Sequence, residues 1–316
     1  MKEIVAGIDI GGTNTVFGIV DKQGNIIQEE SIPTKGYKNV NHFVNELSNK
    51  LKILFNKVNK EYKLKGVGIG APNANFYKGT IENAPNLEWK GIIPFSKMME
   101  EKLNVPVWLT NDANAATLGE MLYGGAKNMR DFLFITLGTG LGSGIVSNGK
   151  LIYGHDGFAG EIGHTIVVEN GRLCGCGRKG CLETYASASG IKQSVIELLS
   201  ETNKASILRD YNNANIDSKL IYESAKKGDK ISLEAFDFTG KILGKALANS
   251  VAYTSPEAIF LFGGLANAGD LLLKPVKESM EANLFNIYKN KVQILLSQLK
   301  GNNVAILGAS ALVWSE

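Results

Sequence analysis

Two glycine- and threonine-rich turns constrain this 316-residue chain more than any other feature. One reads DIGGTN from Asp9 to Asn14, the other LGTGLGSG from Leu137 to Gly144. Each stands between apolar runs: Ile4–Ile10 and Val16–Val20 around the first, Asp131–Leu137 and Ile145–Ser147 around the second. Short apolar runs broken by glycine turns predict strands joined as hairpins. The first pair continues through a turn at Asp21–Asn25 into a third strand, Ile26–Ser31, and the second through Asn148-Gly149 into another, so the meander recurs as a weak internal repeat. A strand after each turn excludes a dinucleotide fingerprint, which needs a helix there. No Gly-Lys-Ser/Thr follows, which excludes a Walker A loop. Glycines bring backbone close to an anion, and successive N–H groups with a Thr hydroxyl can hold phosphate oxygens. One such turn could be a plain hairpin; two at equivalent points of a repeat point to phosphate.

The rest of the chain mixes helices and strands, so the class is α/β. Phe43, Leu47, Leu51, Leu54 and Phe55 share a helical face, and Gly66–Ala71 reads as a buried strand. Asn73–Pro94 reads as a long loop. A helix at Phe95–Leu103, a strand at Val105–Thr110 and a helix at Ala113–Met121 follow. Thr184–Tyr253 is mostly helical, with its clearest pattern over Ile231–Ala252. Ala258–Phe262 and Val292–Leu296 are strands, and Ala305–Trp314 is a closing helix. The length exceeds what one core serves, which predicts two lobes. With 34 Lys plus Arg against 31 Asp plus Glu, the net charge is +3 and unclustered. No nucleic-acid partner is expected. No apolar run reaches the roughly 18 residues of a membrane span. The opening MKEIVAGIDIGG lacks a signal-peptide pattern, so a cytoplasmic location is expected.

Asp9 ends the first strand beside the first turn, where a carboxylate suits Mg²⁺ or simply caps the turn. Asn111-Asp112 sits between a strand and a helix. Taken alone, Asp there is an N-cap; it is also placed to take a proton from a substrate hydroxyl, with Asn111 holding a neighbouring one. GEIGH at Gly160–His164 precedes CGCGRKGCLE at Cys174–Glu183. His164, Cys174, Cys176 and Cys181 gather all three cysteines of the chain with one imidazole. That donor set suits a tetrahedral, closed and therefore structural Zn²⁺. Glu161 and Glu183 flank this loop, and with Asn86 they could bind sugar hydroxyls. His42 and His155 read as solvated or structural, and Trp89, Trp108 and Trp314 as core.

Over its whole length this pattern resembles the bacterial ROK family (repressor, open reading frame, kinase) of the actin/hexokinase/Hsp70-like ATPase superfamily. DIGGTNTVFG resembles its first phosphate motif, LGTGLGSG its second, NDANAATLGE at Asn111–Glu120 its catalytic-Asp motif and FGGLAN at Phe262–Asn267 its adenosine motif. GEIGH with CGCGRKGCLE is the most diagnostic feature. The resemblance implies a two-lobed, actin-like (ribonuclease H-like) fold, each lobe a mixed sheet with flanking helices. Residues 1–111 with 303–316 would form a small lobe, and 112–302 a large lobe carrying the zinc loop. It implies a glucokinase/hexokinase-type sugar kinase: ATP-dependent phosphorylation of a hexose 6-hydroxyl, glucose first, with fructose, N-acetylmannosamine or N-acetylglucosamine as alternatives. Asp112 would be the general base. Asn86, Asn111, Asp112, Glu161, His164 and Glu183 would bind the sugar, His164 with one ring nitrogen on zinc. Asp9, Gly11, Gly12, Thr13, Asn14, Gly138, Thr139 and Gly140 would hold phosphates and Mg²⁺, and Gly263 and Gly264 the adenosine. Relatives are usually homodimers. Repressors of the family carry a helix-turn-helix ahead of the first motif, whereas Asp9 follows only eight residues; the repressor reading is therefore the weaker expectation. One departure stands out: in APNANFYKGTIENAPNLEW, Asn73 takes the place of the family's Gly after Pro72.

Overall fold

The computed structural model describes residues 1–299 and 303–316. The chain folds as two compact units. The first comprises Met1–Met129, Leu151–Ala159 and Gln298–Glu316; the second comprises Arg130–Lys150 and Gly160–Ser297.

The first unit opens with the expected meander: β1 (Lys2–Ile10), β2 (Asn14–Asp21) and β3 (Ile26–Pro33). Helix α1 (Val40–Asn56) follows, capped by Asn39, whose side chain accepts the Asn41 N–H. It buries Phe43, Leu47, Leu51 and Leu54 on one face. Strand β4 (Tyr62–Gly70) then lies parallel to β1. Residues 73–94 differ from the expected loop. They hold a small antiparallel sheet of β5 (Ala74–Asn75), β6 (Thr80–Glu82) and β7 (Ile92–Ile93). Strands of two or three residues are too short to show alternation in a sequence. After α2 (Phe95–Leu103), β8 (Val107–Thr110) completes a five-stranded sheet in the order β3-β2-β1-β4-β8.

Helix α3 (Asp112–Tyr123) and the closing helix Val304–Trp314 belong to this unit. The closing helix lies so near the sheet that side chains are excluded beneath it. A Cβ at Gly7 would fall 2.1 Å from the Ile306 carbonyl oxygen, and one at Gly68 1.9 Å from that of Ala309. The helix buries Ile306 to Val313. The fully buried Glu120 of α3 accepts the backbone N–H groups of Gly125 at 2.7 Å and Gln298 at 3.0 Å. The Gln298 bond ties α3 to the C-terminal segment. α3 also packs along the closing helix and lies in the first unit, whereas residues 112–302 were expected to form the large lobe. The boundary at residue 302 itself lies outside the described residues.

The second unit repeats the plan. β9 (Phe132–Leu137) and β10 (Leu141–Ser147) form an antiparallel hairpin, with the two-residue β11 (Lys150–Leu151) at the sheet edge, where the chain returns to the first unit. The turn is narrower than expected, only Gly138–Gly140. Glycines at alternate positions of β10 read as loop in the sequence. Helices α4 (Ala188–Glu201), α5 (Ser218–Lys226) and the 25-residue α6 (Lys230–Thr254) precede β12 (Ala258–Phe262). After α7 (Asp270–Asn283), β13 (Gln293–Leu296) ends a sheet ordered β11-β10-β9-β12-β13. β9, β12 and β13 run parallel. Each unit therefore has the expected mixed sheet and its own core. No helix among the described residues is long and apolar enough to cross a membrane.

Candidate active site

In the first unit the phosphate turn is closed by a hydrogen bond from Gly11 N–H to the Asn14 carbonyl, 3.0 Å. Thr13 and Asn14 are exposed at its tip. A Cβ at Gly12 would lie 2.7 Å from the Asn86 carbonyl oxygen, so Gly12 lets the loop carrying Asn86 press against the turn. Gly12 and Asn86, expected to hold phosphate and sugar respectively, are thus neighbours in the first unit. The loop's other marked position, Asn73, has a φ of 50° and donates to the Glu82 carbonyl through Nδ2 at 3.1 Å. Asn tolerates the left-handed region better than other side chains, which explains how it can stand in for Gly here.

Sheet order brings Asp9 to Asp112. Asp9 pairs with Gly70 across β1 and β4, and Gly70 pairs with Thr110 across β4 and β8. Two residues later the chain enters α3. A Cβ at Gly70 would stand 3.5 Å from Asp9 Oδ1 and 3.7 Å from Asp112 Cα. Gly70 was not singled out in the sequence, yet it is the residue that β4 places between the two acidic positions. The helix cap falls to Asn111, whose Oδ1 accepts the Asn114 N–H at 2.6 Å. Asp112 is thereby released from capping; its Oδ1 accepts the adjacent Ala113 N–H at 2.8 Å and the residue is exposed. With its oxygen engaged, Asn111 has its amide N–H groups to offer a hydroxyl.

Burial pushes the Asp9 carboxyl up to about 7, and the charge of Asp112 adds to the effect. A carboxylate so costly to ionise is relieved by a cation, so the residues fit Mg²⁺. The same shift predicts a pH-dependent stability. Folded Asp9 keeps a proton that the unfolded chain gives up above pH ~4, so stability falls as pH rises from about 4 through 7, by about 1.4 kcal/mol per decade at most. Asp9→Asn removes the charge at constant shape. The ligand-free variant is expected to melt at a higher temperature than the parent at pH 8 and at the same temperature at pH 4. Scanning calorimetry at the two pH values checks this; equal melting at pH 8 would contradict it.

The second unit holds the other glycine turn, Gly138–Gly140, and the cysteine loop. Gly138 N–H donates to the Gly140 carbonyl at 3.1 Å, and its own carbonyl accepts the Ala188 N–H at 2.8 Å. Thr139 is exposed at the tip. Gly263, at φ 104°, sits where a Cβ would lie 2.7 Å from the Leu137 carbonyl oxygen, and Gly264 is exposed beside it. The expected adenosine glycines therefore adjoin this turn.

His164, Cys174, Cys176 and Cys181 each direct one ligand atom into a group whose atoms all lie within 4.8 Å of one another. Cys176 and Cys181 Sγ are 3.7 Å apart, and His164 Nδ1 is 3.6 Å from Cys174 Sγ. The edge of a ZnS₄ tetrahedron is about 3.8 Å, given Zn–S bonds of about 2.3 Å. The cluster can thus hold a metal. The loop turns back on itself through Gly177 and Gly180, both at positive φ, with Cys174 N–H bonded to the Arg178 carbonyl at 2.8 Å. The Arg178 backbone N–H draws the Cys176 thiol down to about 6, whereas burial pushes the Cys174 and Cys181 thiols up. The other ring nitrogen, His164 Nε2, faces Glu161 Oε2 at 3.9 Å. Glu183 lies between the metal loop and the phosphate turn. Its Oε1 is 3.0 Å from Cys174 Sγ and 3.6 Å from His164 Nδ1, while Oε2 lies over Gly140 and accepts the Leu141 N–H at 3.5 Å. His42 and His155 are exposed, and of the tryptophans Trp89 is the buried one.

The sequence model of the ROK family matches residues 5–316. A glucokinase from Halalkalibacterium halodurans is 36% identical over 311 residues, spanning 97% of this chain and 94% of that protein. A xylose repressor from Caldicellulosiruptor bescii is 30% identical, spanning 99% of this chain and 78% of that protein. Among solved structures, the ROK family glucokinase of Streptomyces griseus in complex with glucose and AMPPNP superposes with a TM-score of 0.80. It is 32% identical, with 99% of this chain and 100% of that one covered.

Proposed function

The chain belongs to the ROK family, and we propose on that premise that it is a glucokinase, transferring the γ-phosphoryl group of ATP to the 6-hydroxyl of glucose. The observation that carries this reading is Asp112, an exposed carboxylate on the first turn of α3, relieved of capping by Asn111, in a chain similar along its length to glucokinases. As the sugar 6-oxygen attacks the γ-phosphorus, Asp112 takes its proton; ADP leaves with the former bridging oxygen. Asn86, Asn111, Glu161, His164 and Glu183 bind and orient the sugar hydroxyls. The turns at Gly11–Asn14 and Gly138–Gly140 hold phosphate oxygens with backbone N–H groups, and Gly263 and Gly264 admit the adenosine. A Mg²⁺ held through Asp9, bound with the nucleotide, supplies charge neutralisation for the phosphates. His164, Cys174, Cys176 and Cys181 hold a structural Zn²⁺ that fixes the loop bearing Glu161 and Glu183. The enzyme works in the cytoplasm as a homodimer, an assembly that light scattering on the purified protein tests.

A coupled ADP-release assay over glucose, mannose, fructose, N-acetylglucosamine and N-acetylmannosamine tests the substrate. The highest kcat/KM is expected for glucose. A preferred acetamido sugar would reassign the substrate through the loop around Asn73. No turnover with any sugar, from folded and metal-loaded protein, would favour a sugar-responsive regulator, the reading that the similarity to the xylose repressor supports.

A further inference from the structure

Glu161 has a side chain 51% exposed, so packing around the carboxylate alone does little to aim it. Its direction is set by how its backbone is held together with its side-chain partners, His164 Nε2 at 3.9 Å among them. The residues on both sides of it are bound by one hydroxyl. Ser143 Oγ donates to the Gly160 carbonyl and accepts the Ile162 N–H at 3.1 Å. Ser143 is 3% exposed and lies on β10, three residues beyond Gly140 of the phosphate turn. The fit is close on either side. Gly160 takes a φ of 95°, and a Cβ at Gly163 would fall 2.2 Å from the Leu141 carbonyl oxygen. The strand leaving the phosphate turn therefore serves as the template on which the Glu161 loop is shaped.

We propose that Ser143 is a positioning residue for phosphoryl transfer: its hydroxyl clamps Gly160 and Ile162 so that the Glu161 carboxylate is aimed at the sugar. Only a hydroxyl donates to the carbonyl and accepts from the N–H at once; alanine does neither, and a thiol does both weakly. The proposal rests on the reading of Glu161 as a sugar ligand, and its test separates the two.

The experiment is a double-mutant cycle with glucose and ATP as varied substrates. Glu161→Ala is expected to raise the glucose KM at least 100-fold. Ser143→Ala is expected to raise it about tenfold, leaving kcat and the ATP KM within twofold. In the Glu161→Ala background, Ser143→Ala should add less than twofold, because the clamp then has nothing to aim. Ser143→Cys, nearly isosteric, should show the same selective rise even if the alanine variant folds poorly. Equal rises in both KM values, effects that multiply in the double variant, or an unchanged glucose KM in both Ser143 variants would overturn the proposal. An unchanged glucose KM in Glu161→Ala would remove Glu161 from the sugar site, and the role of Ser143 with it.

Discussion

Asp112→Asn is expected to lower kcat for glucose by about 10²–10⁴-fold, the range lost with a general base, while the glucose dissociation constant changes by less than about threefold. The substitution keeps the size of the side chain and its ability to accept the Ala113 N–H, now held by the carboxylate at 2.8 Å. The helix start should survive, because Asn111 supplies the cap. What disappears is the capacity to receive a proton as the sugar oxygen becomes a nucleophile. A loss confined to the chemical step lowers kcat and kcat/KM together. The amide also removes the charge that disfavours ionisation of Asp9, so the variant should be no less stable than the parent at pH 8. Steady-state kinetics with calorimetric glucose binding checks both halves. Turnover within tenfold of the parent would take Asp112 out of the base role; lost glucose binding with intact kcat would make it a sugar ligand only.

Cys176→Ser should be the other large effect, on stability rather than chemistry. Cys176 is exposed, unlike the buried Cys174 and Cys181, so its sulfur adds almost nothing to the core. Any substantial destabilisation must then come through the metal. A structural zinc site contributes several kcal/mol to folding, and about 2–4 °C is lost per kcal/mol in chains of this general size. The variant is therefore expected to fall from one zinc per chain to nearly none, to melt about 10 °C lower and to bind glucose at least tenfold more weakly, because Glu161 and Glu183 share that loop. Elemental analysis, thermal melting and glucose titration read the three quantities. A zinc-free variant with parental melting and affinity would end the scaffold role of the metal.

Contiguous features were legible in the sequence. DIGGTN and the Cys174–Cys181 loop are built from neighbouring backbone, so their residue types and spacing already state the geometry, whereas LGTGLGSG showed its turn but hid the start of β10 among its glycines. Properties created by sheet order were not. Asp9 and Asp112 are brought near each other by sheet order, β4 lying between β1 and β8. The pairing of Asn111 as cap and Asp112 as exposed acid is decided by one turn of backbone, and the sequence alone favoured Asp as the cap. The strands β5 to β7 escaped because two or three residues show no period. Ser143 stood within a quoted motif but looked like one more small residue; only the hydrogen bonds to Gly160 and Ile162 separate it from its glycine neighbours.

The intimate fit of the closing helix has a consequence for biosynthesis. β1 and the closing helix are synthesised almost three hundred residues apart, and the face of β1 and β4 around Gly7 and Gly68 is covered by residues 304–314. A ribosome makes roughly 5–20 residues per second, so that face waits many seconds for its partner. The second unit, ending at Ser297, has its whole sequence available earlier. The sheet made first is thus the one whose cover is made last, and until residues 304–314 emerge its face around Gly7 and Gly68 has no helix on it.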